Sequence, residues 1–152
     1  MTAIHTRAEQ FEQLDPAVAK RWSKFARGER IYFPQLLGLV IEDVRVDYCR
    51  MRLPHRPEVE QPAGLVHGGA IATLLDAVMV PAVGAAYGPQ ARFSTVDMHV
   101  QYMSAVLGQD IVAEGWITRR GRSVVFCESE AVNVATGKIA ARSILTYNVS
   151  DG

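Results

Sequence analysis

The sequence predicts an α+β fold in which a curved antiparallel sheet of about six strands wraps around one long central helix, with a short helix near the N-terminus. The central helix is predicted because residues 68–91 are apolar nearly all round and carry one charged side chain, Asp76. Strand-like segments occur on both sides of this stretch, and all but one of their connections are short, which favours antiparallel pairing.

Size and composition favour a cytoplasmic protein with one main domain. The 152 residues suit a helical extension over 1–30 followed by a domain over 31–152. Lys plus Arg and Asp plus Glu both number 16, so we expect neither a nucleic acid nor a membrane as partner. Cys49 and Cys127 are too few for a disulfide framework, and the beginning of the chain lacks the apolar run of a signal peptide.

The extension contains one predicted helix. Residues 1–13 are polar and are expected to be loose at their beginning. Asp15 fits the cap of a helix and Pro16 its first position, after which apolar residues recur at helical spacing up to Gly28. We interpret this helix as a cover for the core.

The strands follow from β-branched residues and from alternation of apolar and polar side chains. Predicted turns lie at Asp47-Tyr48 and at residues 135–137, and Gly88-Pro89 ends the central helix. The predicted strands span residues 39–46, 49–53, 96–102, 111–118, 124–134 and 139–149.

The central helix carries the candidate chemistry. Asp76 is costly to keep ionised inside an apolar helix unless it has partners. Gly68 and Gly69 leave backbone N–H groups open at the positive end of the helix dipole, where a developing oxyanion is stabilised. Together they suggest attack on a carbonyl group, although a core helix whose Asp bonds a neighbouring backbone group is an alternative. A membrane span is disfavoured by Asp76, Pro81 and the strands that follow.

This pattern resembles the hotdog-fold acyl-CoA thioesterases of the phenylacetate-pathway, or PaaI-like, type over residues 32–149. The family's Asn-Pro-x-Gly-x-x-His-Gly-Gly run is matched by Gln61-Pro-Ala-Gly-Leu-Val-His67-Gly68-Gly69, and its Leu-x-Asp by Leu74-Leu75-Asp76. Further matches follow at Leu37-Gly38, Thr95-Val96-Asp97-Met98, Tyr102-Met103-Ser104, Ala113-Glu114-Gly115 and Arg119-Arg120-Gly121-Arg122-Ser123. The sequence departs from the family at Gln61, where the family has Asn, and at Ala105, where it often has Pro.

The resemblance implies hydrolysis of an acyl-CoA thioester without a cofactor. Asp76 is then the acid that activates or orients water, assisted by the hydroxyl of Thr95. The amide of Gly68 binds the thioester oxygen, with Gln61 in the position of the family's Asn. The family forms each site at a dimer interface, so we expect at least a homodimer, and a homotetramer by analogy with relatives.

Other residues have candidate binding roles. We expect His67 and Gly69 to line the substrate at the helix start, and Arg119, Arg120 and Arg122 to face the phosphates of CoA. His67 is interpreted mainly as shaping the turn. The four histidines lack metal-ligand spacing, so no metal site is predicted. Cys127 lies within a strand and is interpreted as a small buried residue.

Three alternatives remain open from the sequence. A hotdog dehydratase and a non-catalytic acyl-CoA sensor are rivals, although the dehydratase loop is absent and a sensor needs no helix acid. Asp76 could attack the thioester directly instead of activating water. The acyl group, whether aryl or a short- or medium-length chain, is not specified.

Overall fold

The structure is a computed structural model that describes residues 6–25 and 28–150. Short 3₁₀ turns at Ala8–Gln10 and Pro57–Val59 accompany the helices and strands, and these turns and α2 have no counterpart among the predicted elements. The elements are α1 (Pro16–Trp22), α2 (Phe33–Leu36), β1 (Val40–Arg45), β2 (Tyr48–Leu53), α3 (Gly68–Ala77), α4 (Met79–Tyr87), β3 (Arg92–Tyr102), β4 (Ile111–Arg120), β5 (Val124–Asn133) and β6 (Ile139–Ser150).

The strands form one antiparallel sheet in the order β1-β2-β4-β5-β6-β3. This confirms the predicted class, a six-stranded sheet around a central helix with a short N-terminal helix. Asp47, in the turn between β1 and β2, has a φ of 63°, and Gly137, between β5 and β6, has a φ of 69°. Both predicted hairpin turns are therefore present, and β3 joins the sheet by the one long connection.

The predicted central helix is two segments that meet at Val78. Pro81 explains the break, because proline has no N–H to donate to the carbonyl of Ala77 and its ring crowds that carbonyl. The hydrogen-bond ladder reaches Val78, whose N–H donates to the carbonyl of Leu74 at 3.0 Å. The two segments therefore run on from each other, from Gly68 to Tyr87.

The inner face of the sheet packs on α3 and α4 to form the core. By length and composition alone, the stretch Gly68–Tyr87 could cross a membrane, but 61% of its most apolar part is buried inside the fold, as in a core helix. The largest side chains with almost no exposed surface come from both layers and include Met51, Leu53, Leu74, Leu75, Met79 and Ile111.

The chain before β1 begins against the outer face of the sheet. The Thr6 hydroxyl donates to the Glu114 carboxylate at 2.6 Å, and the N–H of Arg7 donates to the same group at 3.2 Å. Phe11 stacks on Tyr48 with 4.9 Å between ring centroids. Residues 6–13 are therefore held by buried polar and aromatic partners. The looseness expected at the beginning of this stretch falls on residues 1–5, which lie outside the described part.

The helix α1 then packs on α4. Its Trp22 lies so close to Gly84 that a Cβ on that glycine would come within 2.2 Å of the indole, so only glycine permits this approach. The helix ends at Trp22 instead of Gly28, and the Ser23 hydroxyl donates back to the carbonyl of Lys20 at 2.8 Å, a bond that competes with further helix.

The two edges of the sheet differ. Gln13 bridges to Arg45 on β1, so the preceding chain covers part of that edge. Within the described residues, β3 pairs on one side only, with β6, and leaves the other side of eleven residues open. Val96 lies in a bulge of β3 and is 65% exposed, so the strand is less covered than its clean alternation predicts.

Candidate active site

Asp76 lies in the last turn of α3 and accepts hydrogen bonds from two neighbouring strands. The Thr95 hydroxyl, on β3, donates to Asp76 Oδ1 at 2.8 Å. The Tyr147 hydroxyl, on β6, donates to the same oxygen at 2.8 Å and to the Asp76 carbonyl at 3.1 Å. These bonds satisfy one oxygen of a partly buried carboxylate.

The other carboxylate oxygen, Oδ2, has no hydrogen-bond partner among the described residues. The Asp76 side chain as a whole is only partly buried. Asp76 is therefore fixed through one oxygen and open at the other. Water bound at Oδ2 would be placed for proton transfer.

The bulge in β3 explains why Thr95 faces the helix. Met98 packs against the core. If the alternation of faces continued unbroken from Met98 back to Thr95, Thr95 would lie on the outer face of the sheet. The register shift between Thr95 and Asp97 reverses this order, so Thr95 lies directly beside Tyr147. Neighbouring strands thus present two hydroxyls to one carboxylate.

The start of α3 presents one open backbone donor. The His67 ring caps the helix, since its Nδ1 accepts the N–H of Gly69 at 2.8 Å. The N–H groups of Ala70 and Ile71 donate to the His67 carbonyl. Of the N–H groups in this first turn, only that of Gly68 has no acceptor among the described residues. It is the donor that we expect to bind a thioester oxygen.

Gln61 lies in the turn before the helix and is not in contact with Asp76. Its side-chain oxygen accepts the N–H of Ala63 at 2.9 Å, which closes the turn. Its amide nitrogen has no partner in the described part of the chain and is the group that could donate to a substrate.

A cavity of about 200 Å³ lies beside this helix start. His67, Gly69 and Thr73 form its helix side. Its other walls are mostly apolar but include the carboxylates of Glu58 and Glu60; the apolar lining residues are Phe33, Leu37, Val59 and Ala70. Thr73 lies one turn before Asp76 on the same side of α3, so the cavity opens on the face that carries the acid.

Within one protomer the two halves of the expected site are apart. Gly68 and Asp76 are eight residues apart on α3, which is about 12 Å along the helix axis. Reacting atoms need separations of about 3 Å. One chain therefore places Asp76 with Thr95 but does not bring Asp76 and Gly68 to one carbonyl group.

The three arginines at the end of β4 have different surroundings. Arg120 binds the Asp47 carboxylate through Nε at 2.7 Å and Nη2 at 2.6 Å. Arg119 and Arg122 are exposed and form no ion pair with another described residue. This turn lies at the far end of α4 from Gly68, where the Tyr87 hydroxyl donates to the carbonyl of Gly121 at 2.7 Å.

The remaining candidates lie away from Asp76. His99 is on the outer face of the sheet and lines a cavity of about 380 Å³ with Arg7 and Trp116. This cavity is larger but holds neither Asp76 nor Gly68, so we place the chemistry at the helix. Burial raises the pKa of the Cys127 thiol to about 12, which disfavours a thiolate nucleophile. No metal-binding cluster of His, Cys, Asp or Glu occurs within residues 6–25 and 28–150.

Tyr147 is the partner of Asp76 that the sequence analysis does not single out. It is 1% exposed, so its ring does belong to the core. The signal that could have found it is that a buried tyrosine hydroxyl requires a polar partner. The central helix that the sheet covers offers few polar partners, and Asp76 is its only charged side chain.

Comparisons with known proteins show the family to which the chain belongs. The thioesterase superfamily model matches residues 63–140. Human acyl-coenzyme A thioesterase 13 is 35% identical over 104 residues, which cover 68% of this chain and 72% of that protein.

Solved structures share the fold. A Haemophilus influenzae thioesterase superposes with a TM-score of 0.80 at 16% identity and covers 93% of this chain and 94% of its own. The Escherichia coli PaaI protein of the phenylacetic acid degradation operon has a TM-score of 0.72 at 15% identity, with 78% and 84% covered. The chain therefore belongs to the thioesterase superfamily and is a hotdog-fold thioester hydrolase of the PaaI-like type.

Proposed function

We propose that this hydrolase cleaves acyl-CoA thioesters with an aryl or a short- to medium-chain acyl group, and that Asp76 is the base that activates water. The observation that carries the proposal is the Asp76 carboxylate, held at Oδ1 by two hydroxyls and open at Oδ2. The name of the human relative, an acyl-coenzyme A thioesterase, supports CoA as the thiol component.

The proposed reaction has two steps. Asp76 Oδ2 takes a proton from water while the water oxygen bonds to the thioester carbon, and the carbonyl oxygen becomes an oxyanion that accepts the Gly68 N–H. The carbon–sulfur bond then breaks, the carbonyl re-forms, and the CoA thiolate takes up the proton held by Asp76, which returns the carboxylate to its starting state. The products are a carboxylic acid and free CoA thiol.

Both groups can act on one carbonyl if two copies of the chain share each site. The separation of about 12 Å along α3 prevents Gly68 from serving Asp76 of the same protomer. The open side of β3, which carries Thr95, is the edge that a second copy would cover. We therefore propose a homodimer in which Asp76 and Thr95 face Gly68 and Gln61 of the other protomer.

The cavity at the helix start is suited to the acyl side of the substrate. Its walls are mostly apolar, and Glu58 and Glu60 disfavour the phosphates of CoA there. We assign the phosphates to the exposed guanidinium groups of Arg119 and Arg122 instead, since Arg120 is already paired with Asp47.

The test is Asp76→Asn in the full-length protein. Asparagine has nearly the same shape and cannot accept the proton, so we expect kcat to fall by on the order of 10² or more while fold and oligomeric state are kept. Release of CoA thiol is measured with a thiol reagent on the best substrate from a panel of aryl- and alkyl-CoA esters. Thiol release also separates hydrolysis from dehydration, and a kcat within about tenfold of wild type would remove Asp76 from the mechanism.

A further inference from the structure

Two hydroxyls bind the same oxygen of Asp76, and one of them has no established part in the reaction. Thr95 is exposed on the edge strand, whereas Tyr147 is 1% exposed and lies on β6 inside the core. The Tyr147 hydroxyl binds both Oδ1 and the backbone carbonyl of Asp76. It therefore fixes the carboxylate relative to the helix that carries it.

We propose that Tyr147 is a positioning residue for the reaction: together with Thr95 it holds Oδ1 of Asp76, so that Oδ2 alone faces the reacting water. This inference rests on the proposed role of Asp76 as base. Two donors on one oxygen stop the carboxylate from rotating about its χ2 torsion, which is otherwise soft. The tyrosine is the more rigid of the two donors because its ring is packed on all sides; the ring of Phe93 lies 6.3 Å away between centroids.

The surroundings of Tyr147 keep its hydroxyl a donor. Burial raises the pKa of Tyr147 above its ordinary range, and the nearby Asp76 carboxylate raises it further. The hydroxyl thus stays protonated at neutral pH and donates to the carboxylate.

Few other titratable groups face Asp76. It is the only charged side chain on α3 and α4. Across the elements packed on α3, the titratable side chains on the inner face of the described sheet are Tyr147, Cys127 on β5, Cys49 on β2 and Tyr102 on β3. The charged Asp97 and His99 of β3 point to the outer face, and Glu58 and Glu60 line the cavity at the helix start.

The test compares Tyr147→Phe with the matched control Tyr48→Phe. Tyr48 is also fully buried and also donates to a carboxylate, Glu114 at 2.7 Å, but on the outer face of the sheet. Both variants lose one buried hydroxyl, so a purely structural effect should appear in both. We measure the thermal unfolding midpoint, kcat, KM and the dependence of kcat on pH for each.

For Tyr147→Phe we expect kcat to fall by about tenfold or more while KM changes by less than about threefold, since the base is misplaced but the substrate still binds. The acid-side midpoint of the kcat–pH profile should move to higher pH, because a donor that favours the charged carboxylate has been removed. Tyr48→Phe should leave this profile unchanged. An unchanged profile in Tyr147→Phe, or equal shifts in both variants, would overturn the proposal.

A second measurement keeps this result separate from the proposed function. The carboxyl carbon of Asp76, assigned by its loss in Asp76→Asn, is titrated by ¹³C NMR in wild type and both variants, without substrate. If wild type releases no CoA, the proposed function fails and the role in the reaction fails with it, whereas release of CoA without an upward shift in Tyr147→Phe overturns the positioning role alone. Should Tyr147→Phe not fold, Thr95→Val removes the other donor to Oδ1 and must shift the midpoint in the same direction.

Discussion

At the scale of single residues, the arginines after β4 show that neighbouring side chains determine whether a guanidinium group is available for a ligand. Arg119, Arg120 and Arg122 are equivalent in the sequence as a basic turn. In the fold, Asp47 lies beside Arg120 and forms two bonds to its guanidinium group. A partner from a turn more than 70 residues earlier cannot be identified from local pattern, which is why all three were predicted to bind phosphate.

Replacing Arg119 and Arg122 together with alanine should raise KM for an acyl-CoA by about tenfold, because both guanidinium groups that bind the phosphates are lost. A short thioester without the nucleotide should be hydrolysed as by wild type. Arg120→Ala is the matched control and should change KM little, because its side chain is held by Asp47. The comparison uses steady-state kinetics on both substrates, and equal losses on both would argue against phosphate binding.

The candidate site was predictable from the sequence where its signals are local. The helix from Gly68, its acid and its glycines follow from composition and spacing, and Gln61 and Thr95 from the family resemblance. Tyr147 was not predictable in this way, since it reaches Asp76 only through the packing of β6 on α3. The bulge at Val96 also has no clear local signal, although it decides which face Thr95 occupies.

At the scale of elements, the start of α3 combines a backbone N–H that is already bonded, that of Gly69, with one that is open, that of Gly68. The helix is capped by the ring of His67, which occupies the N–H of Gly69 and leaves that of Gly68 open. The backbone of His67, with φ −64° and ψ 134°, already has the extended conformation that precedes proline. Proline is also favoured at the first position of a helix. The donor can therefore be removed without breaking the helix.

Gly68→Pro should lower kcat by about 10²–10³, because it deletes the one open N–H. Gly68→Ala is the control: it keeps the N–H and adds a Cβ in the same place. That Cβ would lie 3.2 Å from the exposed ring of Tyr102, so both variants need the same small movement. Steady-state kinetics with circular dichroism distinguishes them, and similar rates for the two variants would mean that this N–H does not bind the oxyanion.

At the scale of the whole molecule, one protomer holds the two halves of the proposed site apart. The fold explains their separation, because Gly68 begins α3 and Asp76 lies near its end. It also offers a way to join them, since the edge of β3 that no described residue pairs lies beside Asp76. Antiparallel pairing of two such edges would cover the exposed strand of each copy and satisfy its open backbone groups. The helix of one protomer could then begin near the acid of the other.

The most direct test mixes Asp76→Asn with Gly68→Pro, two variants that should each be nearly inactive. In a mixed dimer one shared site receives both substitutions, while the other combines an intact Asp76 with an intact Gly68. After co-refolding in equal amounts, with heterodimers counted by native mass spectrometry, we predict recovery of about one quarter of wild-type activity. Activity no higher than that of the two separate variants, in a sample that contains the heterodimer, would contradict a site shared between protomers.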